Sequence, residues 1–173
     1  AATLRERAVW PTHGRDPHDF LFDDEGALWV ANGGIGADAA TGRVKDTRAM
    51  DASLVRLDAR TGAVLGQWRL ADRKLSLRHL ARAGDGCIGI ALQAEHDDAT
   101  ERAAAPLLAL WQDGALRTVP GPAAAGYGGD IATLGDGFVI SAPRSGRLLA
   151  WRESAGWRTI ETPDEPCALA ASA

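Results

Sequence analysis

Short turns containing glycine recur along this chain, each between two apolar runs of strand length. Asp24-Glu25-Gly26, Asp85-Gly86 and Asp136-Gly137 alternate with a second set of turns at Gly62, Gly114 and Gly156. Glycine adopts the positive φ that tight hairpin turns need, so each turn predicts a hairpin. Equivalent turns recur at intervals of roughly forty to sixty residues, which is typical of propeller blades with four strands. The sequence therefore predicts an all-β fold, a β-propeller.

The strand pattern divides the chain into three full four-stranded antiparallel blades and two stray strands. The blades are expected at about 17–73, 75–121 and 127–162, and the stray strands at 4–9 and 167–172. The second strands, at 87–92 and 138–140, are apolar on both faces, as are strands packed between neighbouring blades. The only segment expected to form a short helix is 99–105.

Composition excludes several classes of function. The net charge of −4 argues against nucleic-acid binding, and no apolar run is long enough to cross a bilayer. Neither a secretory signal nor an initiator methionine is present, so the natural N-terminus is expected to lie upstream or to have been removed. The spacing of Cys87 and Cys167 fits no zinc or haem motif, and both are expected to be buried free thiols.

The connections between strands differ at the two ends of the predicted blades. The tight glycine turns share one end, which is expected to carry no binding surface. Long polar connections at 12–19, 32–52, 93–106, 120–129 and 143–146 share the other end. Long loops without regular structure usually serve a function, so a binding surface is expected on this long-loop end, near the propeller axis.

The polar side chains at the long-loop end are the candidate site residues. Those expected to bind a ligand are His18, Asp19, Asn32, Arg43, Arg78, His79, Asp130 and Arg144, and Lys45, His96, Asp97 and Asp98 are expected on the same face. Each group also has a structural interpretation, and the alternatives remain open at this stage.

Two histidines lie where first strands begin, in His18-Asp19 and in Arg78-His79. They can clamp a loop through side-chain hydrogen bonds, bind a ligand or metal, or simply be exposed. Because neighbours on a strand point to opposite faces, His79 is expected to be mostly buried and Arg78 to lie nearer the open channel.

Two further segments have competing interpretations. The glycines of Asn32-Gly33-Gly34 can present main-chain N–H groups to an anion, or they can simply mark the end of a strand. The string His96-Asp97-Asp98 contains metal-ligating residue types, but a charged segment beside alanine-rich sequence is more often a solvated, mobile loop.

Established catalytic motifs are absent from the sequence. It contains no nucleophile elbow, no HExxH motif and no phosphate-binding loop. An axial divalent metal would still permit hydrolysis, because its Lewis acidity polarises a substrate carbonyl. Its predicted ligands would be Asp19, Asp130 and Asn32, although such residues are also common at loop–strand junctions. A divalent metal is thus a possible cofactor, and the sequence names no other.

Several strings also resemble a known family. They are Pro17-His18-Asp19, Val30-Ala31-Asn32-Gly33-Gly34-Ile35, Thr41-Gly42-Arg43, Met50 followed by Ser53-Leu54, Leu75-Ser76-Leu77-Arg78-His79-Leu80-Ala81 and Ala142-Pro143-Arg144. From about Thr12 onward the chain resembles the C-terminal half of exported bacterial proteins of the domain-of-unknown-function family DUF1513. The resemblance implies a seven-bladed propeller, a periplasmic location and genes often found beside those of imelysin-like iron-regulated proteins and di-haem cytochromes. It implies no reaction.

The sequence favours a non-enzymatic binding or scaffold protein of the periplasm that uses the long-loop end and has a link to iron acquisition. The alternative is a metal-dependent hydrolase of the lactonase or esterase kind, and a purely structural propeller is a third class. Three blades are about half of a seven-bladed ring, and an open arc would leave apolar blade flanks in water. The N-terminal half of the same propeller, or another chain, is therefore expected as a partner, beside a periplasmic protein or small ligand.

Overall fold

The glycine turns close hairpins that assemble into three antiparallel sheets of four consecutive strands. The computed structural model describes residues 5–36, 47–162 and 164–171. Blade 1 contains β1 (Pro17–Phe22), β2 (Ala27–Asn32), β3 (Ser53–Asp58) and β4 (Val64–Trp68). Blade 2 contains β5 (Leu75–Arg82), β6 (Ile88–Ala94), β7 (Leu108–Gln112) and β8 (Ala115–Val119). Blade 3 contains β9 (Asp130–Leu134), β10 (Gly137–Ala142), β11 (Arg147–Arg152) and β12 (Gly156–Glu161).

The three sheets confirm the prediction of an all-β fold with three four-stranded antiparallel blades. One helix, α1 (Ala99–Ala104), forms in the long connection of blade 2, and short 3₁₀ turns span Thr47–Ala49 and Pro143–Ser145. No helix in the described part of the chain is long and apolar enough to cross a membrane.

The first strands of the three blades are neighbours in space. β5 packs against β1 on one side and against β9 on the other, so these inner strands follow one another around the propeller axis. Each inner strand begins at the end of its blade that carries the long connections. Residues at the start of β1, β5 and β9 are therefore brought together at the long-loop end.

The apolar core lies in the seams between blades. The seam between blades 1 and 2 contains Trp29, with Trp68 and Trp111 packed against it. In the seam between blades 2 and 3, a Cβ at Gly89 would lie 2.7 Å from the ring of Phe138. That contact is too close for any side chain, so the glycine is what allows the ring to pack against β6.

Two expectations at the ends of the chain and at the cysteines are wrong. Neither residues 5–9 nor residues 167–171 form a strand. The segment before β1 instead crosses blade 1, where the Thr12 and His13 carbonyls accept hydrogen bonds from Asn32 and Gln67. Both thiols are free, but only Cys87 is buried, which raises its pKa to about 11, and Cys167 is exposed.

Candidate functional site

Two aspartates near the starts of inner strands each join that strand to the segment that follows it around the axis. Asp19 accepts hydrogen bonds from its neighbour Phe20 N at 2.8 Å and from Leu80 N of β5 at 2.9 Å. Asp130 repeats the arrangement in blade 3, with Ile131 N at 2.8 Å and Leu169 N at 2.8 Å. Each carboxylate is thus a clamp between one inner strand and the segment that follows it around the axis.

His79 occupies the equivalent position in blade 2. It directly precedes Leu80, as Asp19 precedes Phe20 and Asp130 precedes Ile131. The main-chain N–H of Ile131, which a residue at this position would clamp, is already bonded to Asp130. The imidazole has therefore replaced a structural carboxylate without taking over its bonds to the main chain.

The imidazole of His79 lies between the two clamping carboxylates. Its Nδ1 atom is 3.9 Å from Asp19 Oδ2 and 3.7 Å from Asp130 Oδ1. The ring of His18 meets that of His79 edge to face, with 4.8 Å between ring centroids. Since 32% of the His79 side chain and 22% of the Asp130 side chain are exposed, solvent reaches this group. We call His18, Asp19, His79 and Asp130 the axial cluster.

β-Bulges produce this convergence. The pairing of β1 with β2 shifts register between Pro17 and Asp19, and that of β5 with β6 shifts between Leu77 and Leu80. Each shift places an extra residue in the inner strand, and bulges of this kind re-aim side chains. His18 lies in the first bulge and His79 in the second, so the two rings meet at the same level.

The prediction for Arg78 and His79 is wrong, because their burial is the reverse of what was expected. Arg78 is 7% exposed, and His79 is the side chain that reaches solvent. The Arg78 guanidinium lies 3.2 Å from Asp16 Oδ2 in a largely buried ion pair that joins the loop before β1 to blade 2. Arg78 thus pairs with the loop before β1 and is not the side chain nearer the open channel, and the bulge in β5 is the reason that simple alternation failed.

The ligand-binding role expected for Asn32 stays a prediction, and the structure places this residue away from solvent. Asn32 is completely buried, and its amide donates to the Thr12 carbonyl and the Ser53 hydroxyl. The main-chain N–H groups of Gly33 and Gly34 donate to the carbonyls of Asp16 and Arg15, so they are not presented to an anion. The alternative interpretation, a glycine-rich strand end, is therefore confirmed.

The remaining predicted residues do not join the axial cluster in the described part of the chain. Arg144 is exposed and stacks over the ring of Tyr127 at 4.5 Å. Arg43 and Lys45 lie outside the described residues.

The string His96-Asp97-Asp98 is neither a described metal site nor an unanchored loop. His96 Nε2 is 3.0 Å from Asp72, Asp97 pairs with Lys74, and Asp98 caps helix α1. Three different structural contacts therefore account for a sequence pattern that suggested metal ligands.

The predicted metal ligands do not assemble. Among residues 5–36, 47–162 and 164–171, no group of three or more His, Cys, Asp or Glu side chains is arranged to hold a metal ion. Asp19 and Asp130 do approach a common histidine, but Asn32 lies buried beneath the segment that precedes β1. The set Asp19, Asp130 and Asn32 is thus wrong as a ligand set.

The axial carboxylates also differ from others in the molecule in their charge partners. Within the described residues, neither Asp19 nor Asp130 forms an ion pair with arginine or lysine, and their ionisable partner is His79. Several carboxylates elsewhere are paired with arginine or lysine, as in Asp16–Arg78, Asp23–Arg56, Asp24–Arg82, Asp51–Arg69 and Asp97–Lys74, whereas Asp72 also faces a histidine, His96.

A second cluster, which the sequence did not predict, lies at the tight-turn end, where no binding surface was expected. There, the walls of a cavity of about 280 Å³ include the acidic turn Asp23-Asp24-Glu25, Arg56 and Arg82, beside Trp29 and Trp111. Arg82 of blade 2 binds Asp24 of blade 1 through hydrogen bonds of 2.9 and 2.8 Å. No local pattern signals this pair, because Asp24 and Arg82 lie 58 positions apart in the sequence.

A family model for proteins of unknown function, DUF1513, matches residues 1–173. The chain belongs to the DUF1513 family. This finding confirms the family resemblance, and the family description assigns no activity. No curated protein matches the chain significantly.

Solved structures with a similar fold are β-propeller proteins. The catalytically inactive virginiamycin B lyase from Staphylococcus aureus with quinupristin has a TM-score of 0.59 and 17% identity, covering 90% of this chain and 45% of that one. A gluconolactonase from Xanthomonas campestris has a TM-score of 0.54 and 19% identity, covering 91% of this chain and 52% of that one. The nidogen/laminin complex gives a TM-score of 0.54 at 11% identity, with coverage of 87% and 49%. These similarities establish the propeller fold, and this chain spans less than half the length of the lyase.

Proposed function

We propose that this protein is a non-enzymatic binding propeller whose ligand or partner docks at the long-loop end, on the axial cluster. The observation that carries the proposal is the replacement of a clamping aspartate by His79 at a repeated structural position. A residue that departs from the structural rule of its repeat is expected at a functional site. His79 is half-buried, held beside His18, and open to solvent at the axis, which is where ligands of closed repeat folds commonly bind.

The bonding of the two carboxylates suits them to ligand recognition. Both oxygens of Asp19 and both oxygens of Asp130 accept main-chain N–H groups, which fixes the carboxylates and disperses their charge. Each oxygen keeps a further lone pair with which it can accept a hydrogen bond from a ligand. Fixed carboxylates and an imidazole are therefore suited to hydrogen bonding and charge complementarity.

Ligand-observed NMR on the full-length native protein tests the proposal. The probes are a panel of small amines, carboxylates, sugars and lactones, measured with wild type and with the His79→Asn variant. The matched control is His13→Asn, because His13 is exposed and its φ of 53° is one that asparagine tolerates. We expect binding from at least one class of probe, weakened about tenfold by His79→Asn, or about 1.4 kcal/mol, and unchanged by His13→Asn. If no class shows binding that depends on His79, the proposal is wrong.

A metal-dependent lactonase-like or esterase-like hydrolase is the second candidate. The gluconolactonase among the similar structures and the imidazole held between two carboxylates favour it. The separation of Asn32 from these carboxylates weighs against it. The lactone probes distinguish the candidates, since turnover that requires added divalent metal and both aspartates would support the enzyme, and binding without turnover would support the binding protein.

The family resemblance extends the proposal to location and physiology. We place the protein in the bacterial periplasm and link it to iron acquisition. Fractionation of cells that carry a tagged full-length gene tests the location, which is wrong if the product stays in the cytoplasm. Growth of a deletion strain under iron limitation tests the link, which predicts a defect that vanishes when iron is restored.

We also propose that a further blade covers the open flank of blade 1. Phe20 is 63% exposed, whereas Leu80 and Ile131, at the equivalent positions of blades 2 and 3, are 9% and 5% exposed. Those two pack into the seam with the preceding blade, so Phe20 is expected to fill the same kind of seam. The N-terminal half of the same propeller, or another chain, would supply it. Hydrogen exchange of β1 in the full-length protein should then be slower than in the isolated 1–173 fragment.

A further inference from the structure

The axial cluster contains two carboxylates and no arginine or lysine that pairs with them in the described structure. Asp19 and Asp130 share the His79 imidazole as their ionisable partner, and one imidazole supplies at most one positive charge. The adjacent Arg78 is buried and faces Asp16. Main-chain N–H groups disperse the charge on the two aspartates but do not cancel it.

A chemical class of ligand follows from this charge. We infer that the axial cluster binds an organic cation, an ammonium or guanidinium group of a small molecule or of a partner's side chain. This inference rests on the proposed function and specifies its ligand. Carboxylates about 4 Å from one imidazole attract a cation most strongly where solvent is partly excluded, and 32% exposure of Asp19 meets that condition. The ring faces of His18 and His79 add an aromatic surface.

An organic cation suits the site better than a metal ion. Each carboxylate oxygen already accepts one main-chain N–H group, and a metal ion would need several oxygens directed at one point. An ammonium group instead donates hydrogen bonds in three directions and tolerates longer contacts. The described residues also hold no arrangement of three metal-ligating side chains.

Isothermal titration calorimetry of the full-length native protein tests the inference. The probes share a four-carbon length and differ in charge: 1,4-diaminobutane, 1,4-butanediol and succinate. Two substitutions separate charge from shape at the site: His79→Lys places a fixed cation there and leaves both carboxylates intact, and His79→Gln keeps the position neutral. Gln112→Lys is the matched control, because it makes the same change in net charge at an exposed position at the tight-turn end.

We expect diaminobutane to bind the wild type and neither butanediol nor succinate to do so. His79→Lys should weaken diaminobutane binding by at least about a hundredfold, beyond the roughly tenfold loss expected when the neutral His79→Gln removes the imidazole, whereas Gln112→Lys should change it less than about threefold. Thermal unfolding of each variant confirms that it is folded. An equal loss in His79→Lys and Gln112→Lys would overturn the inference, because the effect would then be long-range.

Failure of the inference is distinguishable from failure of the proposed function. If an anionic or neutral probe binds and depends on His79, the cation class is wrong and the binding function stands. If no probe of any charge shows binding that depends on His79, both are wrong. Stoichiometric binding of a divalent metal that displaces diaminobutane would also overturn the organic cation in favour of a metal ion.

Discussion

The two ends of the blades use charge in opposite ways. At the tight-turn end, acidic and basic side chains satisfy one another across the seam between blades 1 and 2, and Asp23 alone binds the Trp29 indole, the Arg56 guanidinium and two main-chain N–H groups. At the axial cluster, two carboxylates share one histidine and no arginine or lysine. Paired charge fixes the positions of blades, and carboxylates without an arginine or lysine partner remain able to bind another cation. The comparison predicts that breaking an arginine–carboxylate pair at either end lowers stability, and that substitution of His79 at the axial cluster changes binding.

The largest effect on stability is expected where a buried ion pair is broken. Arg78→Ala should lower the free energy of unfolding by about 3–5 kcal/mol, because it removes the buried guanidinium that pairs with the Asp16 carboxylate. Chemical denaturation measures this change. The control is Arg147→Ala, since the exposed pair of Arg147 with Glu161 at 4.0 Å should contribute less than about 1 kcal/mol. Similar losses in both variants would contradict the structural role given to Arg78.

A smaller loss is expected at the tight-turn end. Asp23→Ala leaves the Trp29 indole N–H and two main-chain donors without their acceptor, and should cost about 2–3 kcal/mol. Ligand binding at the axial cluster should not change, because the substitution lies at the opposite end of blade 1. Denaturation and calorimetry on the same sample check both statements. A loss of binding at unchanged stability would reverse the comparison between the two ends.

Low pH should lower the stability of the protein through Asp23, at the same tight-turn end. Burial alone would raise the pKa of Asp23, but hydrogen bonds from Trp29, the Ala27 main chain and Arg56 outweigh it and lower that pKa below its usual value. A lowered pKa means that this stability is fully present above the unfolded-state pKa of about 3.9 and is lost as pH falls through the folded-state value. The free energy of unfolding, measured from pH 6 to pH 2, should therefore fall less steeply in Asp23→Asn than in wild type. If the free energy of unfolding falls in parallel with pH in the two proteins, Asp23 does not contribute to the loss of stability in acid.

The fold was predictable from the sequence because its determinants are local. Glycine turns and strand alternation depend on a few adjacent residues, so the three blades follow directly from them. The pattern also placed His18, Asp19 and Asp130 near the starts of inner strands, whereas His79 lies in the middle of β5 and reaches the axial cluster through the bulge.

The errors arose where distant segments decide the environment of a side chain. A bulge in β5 exchanged the environments of Arg78 and His79. The segment that precedes β1 covered Asn32, and no pattern within β2 indicates that contact. At the tight-turn end, the ion pair of Asp24 with Arg82 joins residues more than fifty positions apart. The turn sequence alone does not reveal such a pair, so it predicted no cluster at that end.

The smallest effect on stability, and the sharpest test of the comparison, is expected at His79. The side chain forms no hydrogen bond to the main chain in the described structure, and Asp130 already holds Ile131 N. His79→Asn should therefore change the free energy of unfolding by less than about 1 kcal/mol. Asp19→Ala, one strand away, removes the acceptor for Phe20 N and Leu80 N and should cost more, about 1–3 kcal/mol. Chemical denaturation of the two variants side by side tests whether Asp19 holds the main chain in place and His79 does not. A larger loss of stability in His79→Asn than in Asp19→Ala would mean that the histidine is itself structural.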